Sequence, residues 1–392
     1  MSVWFKPALL LLLSAGLSAC LTLSEPSTAR HTLPNPNVLD AKIAALMARE
    51  DVKGLAVAVI EGDTIHHLAA YGARNVEKSL PLETETIMYG ASLTKAAFGY
   101  MVLQLVDEGR LDLDTSIAAY LPKPLPDYPD WRALKDDPEW RDLTPRILLS
   151  HTSGLNNLRY FEPNQDLKFH FPPGQSYAYS GEGINLLQTV LEEGLGLDVK
   201  QEMQTRLFDR FGMPNTSMQW RADFADNLAD GYAMDGSFEP HDERSNVRAA
   251  GSMDTSIADQ AQLWRALLRG DGLSTTQRRA WIAPHYDIRT KQKFPTLAYH
   301  NDKTERSAPI ALAAGLGLIS WQGPYGRNFS KGGHNDWTGN LVICQEAENR
   351  CLIMLANSVR AEIIFPEITE FVLGDTGYPW WWVYPSLHGD KG

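Results

Sequence analysis

Between Val38 and Glu50 the apolar residues follow a helical spacing, and the pattern then changes: Gly54 to Ile60 and Thr64 to Tyr71 are two β-like runs around Glu61-Gly62-Asp63. This reads as a helix followed by a hairpin. Ala96, Ala97, Phe98, Met101, Val102 and Leu105 recur on one helical face and mark a buried helix beginning near Ser92. The last third returns to strand-like runs at Gly315 to Gln322, Arg327 to Lys331, Thr338 to Gln345 and Cys351 to Asn357, and a terminal helix follows from about Ile363 to Val372. Strands early and late with helices between predict an α/β fold of the α+β type. One antiparallel sheet is built from both chain ends and flanked by helices, with a mostly helical region of about residues 96–270 inserted. The site is expected where the two regions meet.

Three stretches break the pattern. Pro122 to Arg141 is rich in Pro, Asp and Trp, and Asp287 to Ser307 is polar without a clear period, so both read as long loops that shape the cleft. Trp380-Trp381-Trp382-Val383-Tyr384 is either a membrane-facing aromatic cluster or a tail packed on the body, and burial of aromatics in a globular chain favours packing.

The 392 residues are 44% apolar and 21% charged, an ordinary globular composition that supports a real core. A net charge of −12 without any basic run argues against nucleic acid as a partner. At the N-terminus, Lys6 precedes an apolar run from Pro7 to Leu17 that is too short to span a bilayer, so residues 1–19 read as an export signal. The run ends in Leu17-Ser18-Ala19-Cys20, which resembles a bacterial lipoprotein box with Cys20 as the lipidated first residue; ordinary signal cleavage with an incidental Cys20 is the alternative. Leu21 in place of Asp resembles outer-membrane sorting in a Gram-negative cell. Residues 20–37, with Pro26, Pro34 and Pro36, read as a tether, followed by one catalytic domain over residues 38–392. The expected location is therefore the periplasm, held to a membrane by several acyl chains on one Cys.

Cys344 and Cys351 sit in two β-like runs separated by six residues, Gln345 to Arg350. If the runs form a hairpin, the two thiols lie near opposite each other and an oxidising compartment permits a disulfide; otherwise they are two small buried residues that stay reduced.

The strongest chemical signal is Ser92-Leu93-Thr94-Lys95. A Ser and a Lys three residues apart at a helix start lie on one face, one turn apart, where the amine can take the hydroxyl's proton. Free N–H groups and the positive end of the helix dipole there favour a developing oxyanion and disfavour a protonated Lys95.

Tyr177-Ala178-Tyr179-Ser180-Gly181 and Lys331-Gly332-Gly333 follow in that order. Together the three motifs resemble the serine β-lactamase and penicillin-binding-protein superfamily, in its class C, D,D-peptidase and esterase branch. Leu111 to Pro122, Leu148 to Leu155, Pro172 to Ser180, Leu207 to Thr216 and Ala249 to Leu268 resemble further segments of the same branch, so the likeness runs from about Val38 to about Val372. It implies that Ser92 is acylated, with Lys95 or Tyr179 as the base. It also implies that Lys331, on an edge strand lining the cleft, supplies positive potential for a substrate carboxylate and for Tyr179, while Gly332 and Gly333 leave room for substrate to lie against that strand. The backbone N–H groups of Ser92 and His334 form the oxyanion hole; the His334 side chain either touches substrate or plays no part. His151 tempts a Ser-His triad reading, but the resemblance places its turn beneath the site as structure.

Two departures bear on substrate. Gly181, followed by Glu182, stands where the family usually has an Asn that holds an acylamido group, and Gly332 stands where it has Thr. Losing the amide removes about 1 to 1.5 kcal/mol of hydrogen bonding. The expectation is therefore a serine hydrolase of esters or D-amino-acid peptides such as cell-wall stems. A β-lactamase and a penicillin-recognising or cell-wall-binding protein without turnover are the alternatives. No G-x-S-x-G elbow occurs, which disfavours an unrelated hydrolase, and no zinc-ligand spacing occurs, so no metal or cofactor is expected.

Overall fold

The computed structural model describes Met1 and residues 31–295 and 302–389. The expected leader, Cys20 and the first part of the tether lie outside the described residues. Helices are α1 (Pro36–Glu50), α2 (Leu93–Asp107), α3 (Pro145–Leu149), α4 (Gly181–Thr189), α5 (Val199–Met203), α6 (Ile257–Arg269), α7 (Thr275–Ile282), α8 (Ala361–Leu373), α9 (Trp380–Val383) and α10 (Pro385–His388). Strands are β1 (Gly54–Glu61), β2 (Thr64–Asn75), β3 (Leu80–Pro81), β4 (Met88–Tyr89), β5 (Gly231–Tyr232), β6 (Phe238–Glu239), β7 (Asp254–Thr255), β8 (Tyr286–Asp287), β9 (Ala313–Ala314), β10 (Ile319–Gly323), β11 (Gly326–His334), β12 (Gly339–Gln345) and β13 (Arg350–Ala356).

Nine strands form one antiparallel sheet in the order β3-β2-β1-β13-β12-β11-β10-β9-β8, so the N-terminal hairpin docks on the last strand of the chain. Alternation along β1 explains the layering. Leu55, Val57 and Val59 face a core with Leu39 and Ile43 of α1 and Ile364, Phe365 and Ile368 of α8, while Ala56, Ala58 and Ile60 face a second core with α2, α6 and α7. Helices therefore cover both faces. The helical region lies between β4 and β8, and the pairings β4 with β7 and β5 with β6 are its only ladders among the described residues.

Several elements differ from the sequence expectation. α1 begins at Pro36, with Asn35 Oδ1 accepting from Asn37 N at 3.0 Å, and Arg350 Nη1 donates to His31 O at 2.9 Å, so residues 31–37 are fixed to the body rather than free tether. The run Gly315 to Gln322 is not one strand. Gly317, at φ +85°, turns the chain between β9 and β10, and a side chain there would meet Lys95 O at 2.5 Å. Pro122 to Arg141 is not a cleft loop: three short 3₁₀ turns, each opened by a proline, bury Leu125, Trp131, Leu134 and Trp140 in the core of the helical region. The aromatic tail packs on the body, with Trp382 and Tyr384 buried. Cys344 and Cys351 face each other in the β12–β13 register and are joined by a disulfide.

Candidate active site

β4 delivers the chain to a tight turn before α2. Tyr89 pairs with Asp254 of β7, Gly90 N donates to Met253 O at 2.9 Å, and Ala91 takes a left-handed φ of +46°. Thr94 Oγ1 holds that strained residue by donating to Ala91 O at 2.6 Å. Ser92 then stands at the N-cap position of α2, whose first four turns are buried almost throughout. Its N–H has no protein acceptor among the described residues, and its hydroxyl faces the cleft.

Lys95, one turn on, donates from Nζ to Ser92 Oγ at 2.9 Å and to Ala250 O at 2.6 Å. Ala250 is itself positioned by its N–H, which donates to Asn185 Oδ1 of α4 at 3.1 Å. Burial, with the nearby Lys293 ammonium, pulls the Lys95 pKa down to about 7.

Tyr179 arrives from the segment before α4. Ala178 N donates to His151 O at 2.9 Å, and Ser180 Oγ caps α4 by accepting from Gly183 N at 2.9 Å. The Tyr179 hydroxyl accepts from Lys331 Nζ at 2.9 Å and is hydrogen bonded to Ser92. Burial raises its pKa, which keeps the phenol protonated. Lys331 also donates to Gly332 O at 3.1 Å, and burial followed by the Lys293 and Lys95 charges lowers its pKa well below the usual lysine range.

The structure thus brings Ser92, Lys95, Tyr179 and Lys331 into one hydrogen-bonded chain. It places the remaining expected residues differently. β11 is an internal strand, not an edge strand, but β10 stops at Ile319 opposite Ser330, so Lys331 to His334 lack a ladder partner on that side. Gly333 does not leave space for a ligand: a Cβ there would lie 2.5 Å from Gly90 O and 3.2 Å from Ser92 N. Gly332 is open, its nearest contact being Asn340 O at 3.4 Å. Gly181 is packed on Asn157, where an added Cβ would meet Asn157 O at 2.7 Å, and its N–H donates to Asn157 Oδ1 at 3.1 Å. Glu182 turns away from the cleft and pairs with Arg159 at 2.6 Å.

His151 is buried and lies 4.4 Å from the Tyr179 ring, with Nδ1 accepting from Ser180 N at 3.2 Å. Burial and the three lysine charges keep it neutral. It supports Tyr179 and has no contact with Ser92. His334 has a half-exposed side chain whose Nδ1 lies 2.8 Å from Oε1 of buried Glu362. That carboxylate raises its pKa against the opposing effect of burial. Among the described residues no group of His, Cys, Asp or Glu has the arrangement of a metal site.

Sequence reasoning missed Lys293, Ala250, Asn157 and Glu362. Lys293 is buried, with Nζ 5.0 Å from the centre of the Tyr179 ring.

Helices cover both faces of the sheet, and Ser92, Lys95, Tyr179 and Lys331 come together beside it. Residues 39–364 match the family described as Beta-lactamase, and the chain belongs to it. Over 182 residues it is 28% identical to "Penicillin-binding protein 4" of Amycolatopsis lactamdurans, covering 43% of this chain and 45% of the relative. Over 231 residues it is 26% identical to "Lovastatin esterase" of Penicillium rubens, covering 49% of this chain and 58% of the relative. The chain thus spans about half the length of these curated relatives. Its fold matches the octameric penicillin-binding protein homologue from Pyrococcus abyssi with a TM-score of 0.70 and 19% identity, covering 87% of this chain and 78% of that one.

Proposed function

We propose that the protein is a serine hydrolase that forms an acyl-enzyme on Ser92 and acts on esters or D-amino-acid peptides of the cell-wall stem type. The observation that carries this reading is the 2.9 Å contact of Lys95 Nζ with Ser92 Oγ at an amine whose pKa is near 7.

At neutral pH a large share of Lys95 is unprotonated. Its lone pair takes the Ser92 proton as Oγ attacks the carbonyl, while its remaining N–H keeps hold of Ala250 O. The oxyanion forms beside the unpartnered Ser92 N–H, with the His334 amide as the second donor; each such donor is worth about 3 kcal/mol. Tyr179, protonated and bonded to both Ser92 and Lys331, passes its proton to the leaving group and is reprotonated from Lys95, so the proton count is unchanged. Water then replaces the leaving group and the same path runs backwards. Lys331 stabilises the phenolate that Tyr179 becomes in passing.

A β-lactamase is less well supported, since Gly181 offers no amide to an acylamido group and Asn157 fills the space beside it. Mass spectrometry across esters, D-Ala-D-Ala peptides and β-lactams tests the reading. A transient adduct on Ser92 with an ester or peptide, absent in Ser92→Ala, is expected. An adduct that persists for hours with every reagent points instead to a binding protein without turnover.

A further inference from the structure

Toward the far end of α2 from Ser92 lies a cavity of about 300 Å³ with mostly polar walls. Arg210 and Phe211 enter it from the helical segment after α5, Arg265 and Arg269 from α6, and Asp271 and Gly272 from the turn before α7. Gln104 of α2 stands against Gly272. It lies twelve residues along the helix from Ser92, roughly 18 Å by helical rise, so the cavity is separate from the cleft.

Most of the basic groups here are already engaged. Arg269 pairs with Asp63 and with Asp271, and Arg278 donates from Nε to Leu268 O at 3.1 Å at the C-terminal end of α6, where a cation is favoured. Arg265 Nη2 donates to Gln262 Oε1 at 2.6 Å. Three groups remain. Arg210 is exposed and has neither a hydrogen-bond acceptor nor an ion pair among the described residues. Arg265 Nε is buried without an acceptor, Asp63 Oδ1 at 3.8 Å being beyond hydrogen-bond reach. Gln104 is only 3% exposed, and neither Nε2 nor Oε1 has a partner.

Gly272 shows that two of these groups converge. Its φ is +86°, and a Cβ there would lie 2.7 Å from Gln104 Nε2 and 3.0 Å from Arg210 Nη1, so the amide and the guanidinium approach the same point of the cavity wall. A buried amide without a partner is costly, and an unmatched guanidinium offers a fork of donors suited to an oxyanion. What completes them must bring several acceptor oxygens and negative charge. Donors arriving from three separate elements suit oxygens that point in several directions, as in phosphate, better than the single plane of a carboxylate. The remaining volume, along Phe211, has space for a group attached to that phosphate.

We propose that this cavity is a second binding site, for a phosphate-class oxyanion either free or carried on a small molecule. The proposal does not rest on the serine-hydrolase reading and is tested without turnover. Calorimetry at fixed ionic strength uses inorganic phosphate and phenyl phosphate as probes and phenol as the uncharged control. Saturable binding of both phosphates and none of phenol is expected. Tighter binding of phenyl phosphate assigns an ester-borne group, and equal affinity assigns the free anion. Arg210→Gln, a surface change, should weaken binding by about tenfold or more, as losing a charge-assisted hydrogen bond should, and Arg210→Lys should restore part of it. Gln104→Leu keeps the size and removes the amide, so it should weaken binding by about threefold or more while melting no earlier than wild type. Lys331→Gln, in the cleft, should leave binding unchanged. No saturable binding of either phosphate at millimolar concentration, phenol binding as tightly as phenyl phosphate, an affinity unaltered in Arg210→Gln, or a loss in folded Lys331→Gln overturns the proposal.

Discussion

Lys95 is pressed toward neutrality by burial and by the charge of Lys293, and the proposed role of the amine as base depends on that pressure. Only the unprotonated amine can take the Ser92 proton, so kcat/KM for a neutral ester should rise with pH and reach half its plateau near pH 7. A profile flat from pH 5 to 9 removes Lys95 as the base. Taking away the neighbouring cation in Lys293→Gln should move the rising limb to higher pH. Lys95→Ala and Tyr179→Phe should each lower turnover by at least about 100-fold, with fluorophosphonate labelling of Ser92 as a second readout. The adjacent glycines of the third motif separate in the same assay. Gly333→Ala forces a Cβ against Gly90 O and the Ser92 amide, and should cost about 1–3 kcal/mol of stability as well as activity. Gly332→Ala meets only ordinary contacts and should change stability by less than about 0.5 kcal/mol.

The β12–β13 hairpin shows how one element couples local chemistry to the core. Cys344 and Cys351 are opposite each other in the ladder, fully buried under the helices on that face, and their bond closes a loop with a sequence separation of seven. Such a short loop is worth about 2–3 kcal/mol, so the double Cys→Ala variant should melt earlier by that amount and lose its sensitivity to reductant, read from denaturant curves. Much at this scale was legible in the chain. Short β-like runs marked β1, β2, β12 and β13, of which β1, β12 and β13 are apolar almost throughout because both their faces are buried, and helical spacing marked α1, α2 and α8. The Ser92–Lys95 contact followed from one helical turn. What was not legible lacks a side-chain pattern. Ala250 serves through a backbone carbonyl, Lys293 lies in an aperiodic polar stretch where a lysine reads as solvated, and the turn at Gly317 is set by approach to a carbonyl of α2. Tyr179 and Lys331 were found through resemblance, since no periodicity joins positions so far apart.

Across the whole molecule, the three buried lysines around Tyr179 set a stability profile. The folded-state pKa values of Lys95, Lys293 and Lys331 lie below those of the unfolded chain, so between about pH 7 and pH 10 the unfolded chain binds more protons. Stability should therefore increase with pH over that window, and calorimetric melting at pH 7 and pH 9 checks the sign. The aromatic tail links this cleft to the rear of the sheet. Trp382→Ala should cost about 3–5 kcal/mol from lost packing and also release the segment bearing Lys293. The sheet itself carries a temporal consequence, because β1 has β13 as its partner. A growing chain presents Ser92 to solvent long before Lys331 exists, and the first hairpin waits with one bare rim until the final strand is synthesised. A polypeptide halted before Arg350 should be unable to label Ser92 and prone to stick to its own kind, so the proposed reactivity should arrive late and all at once.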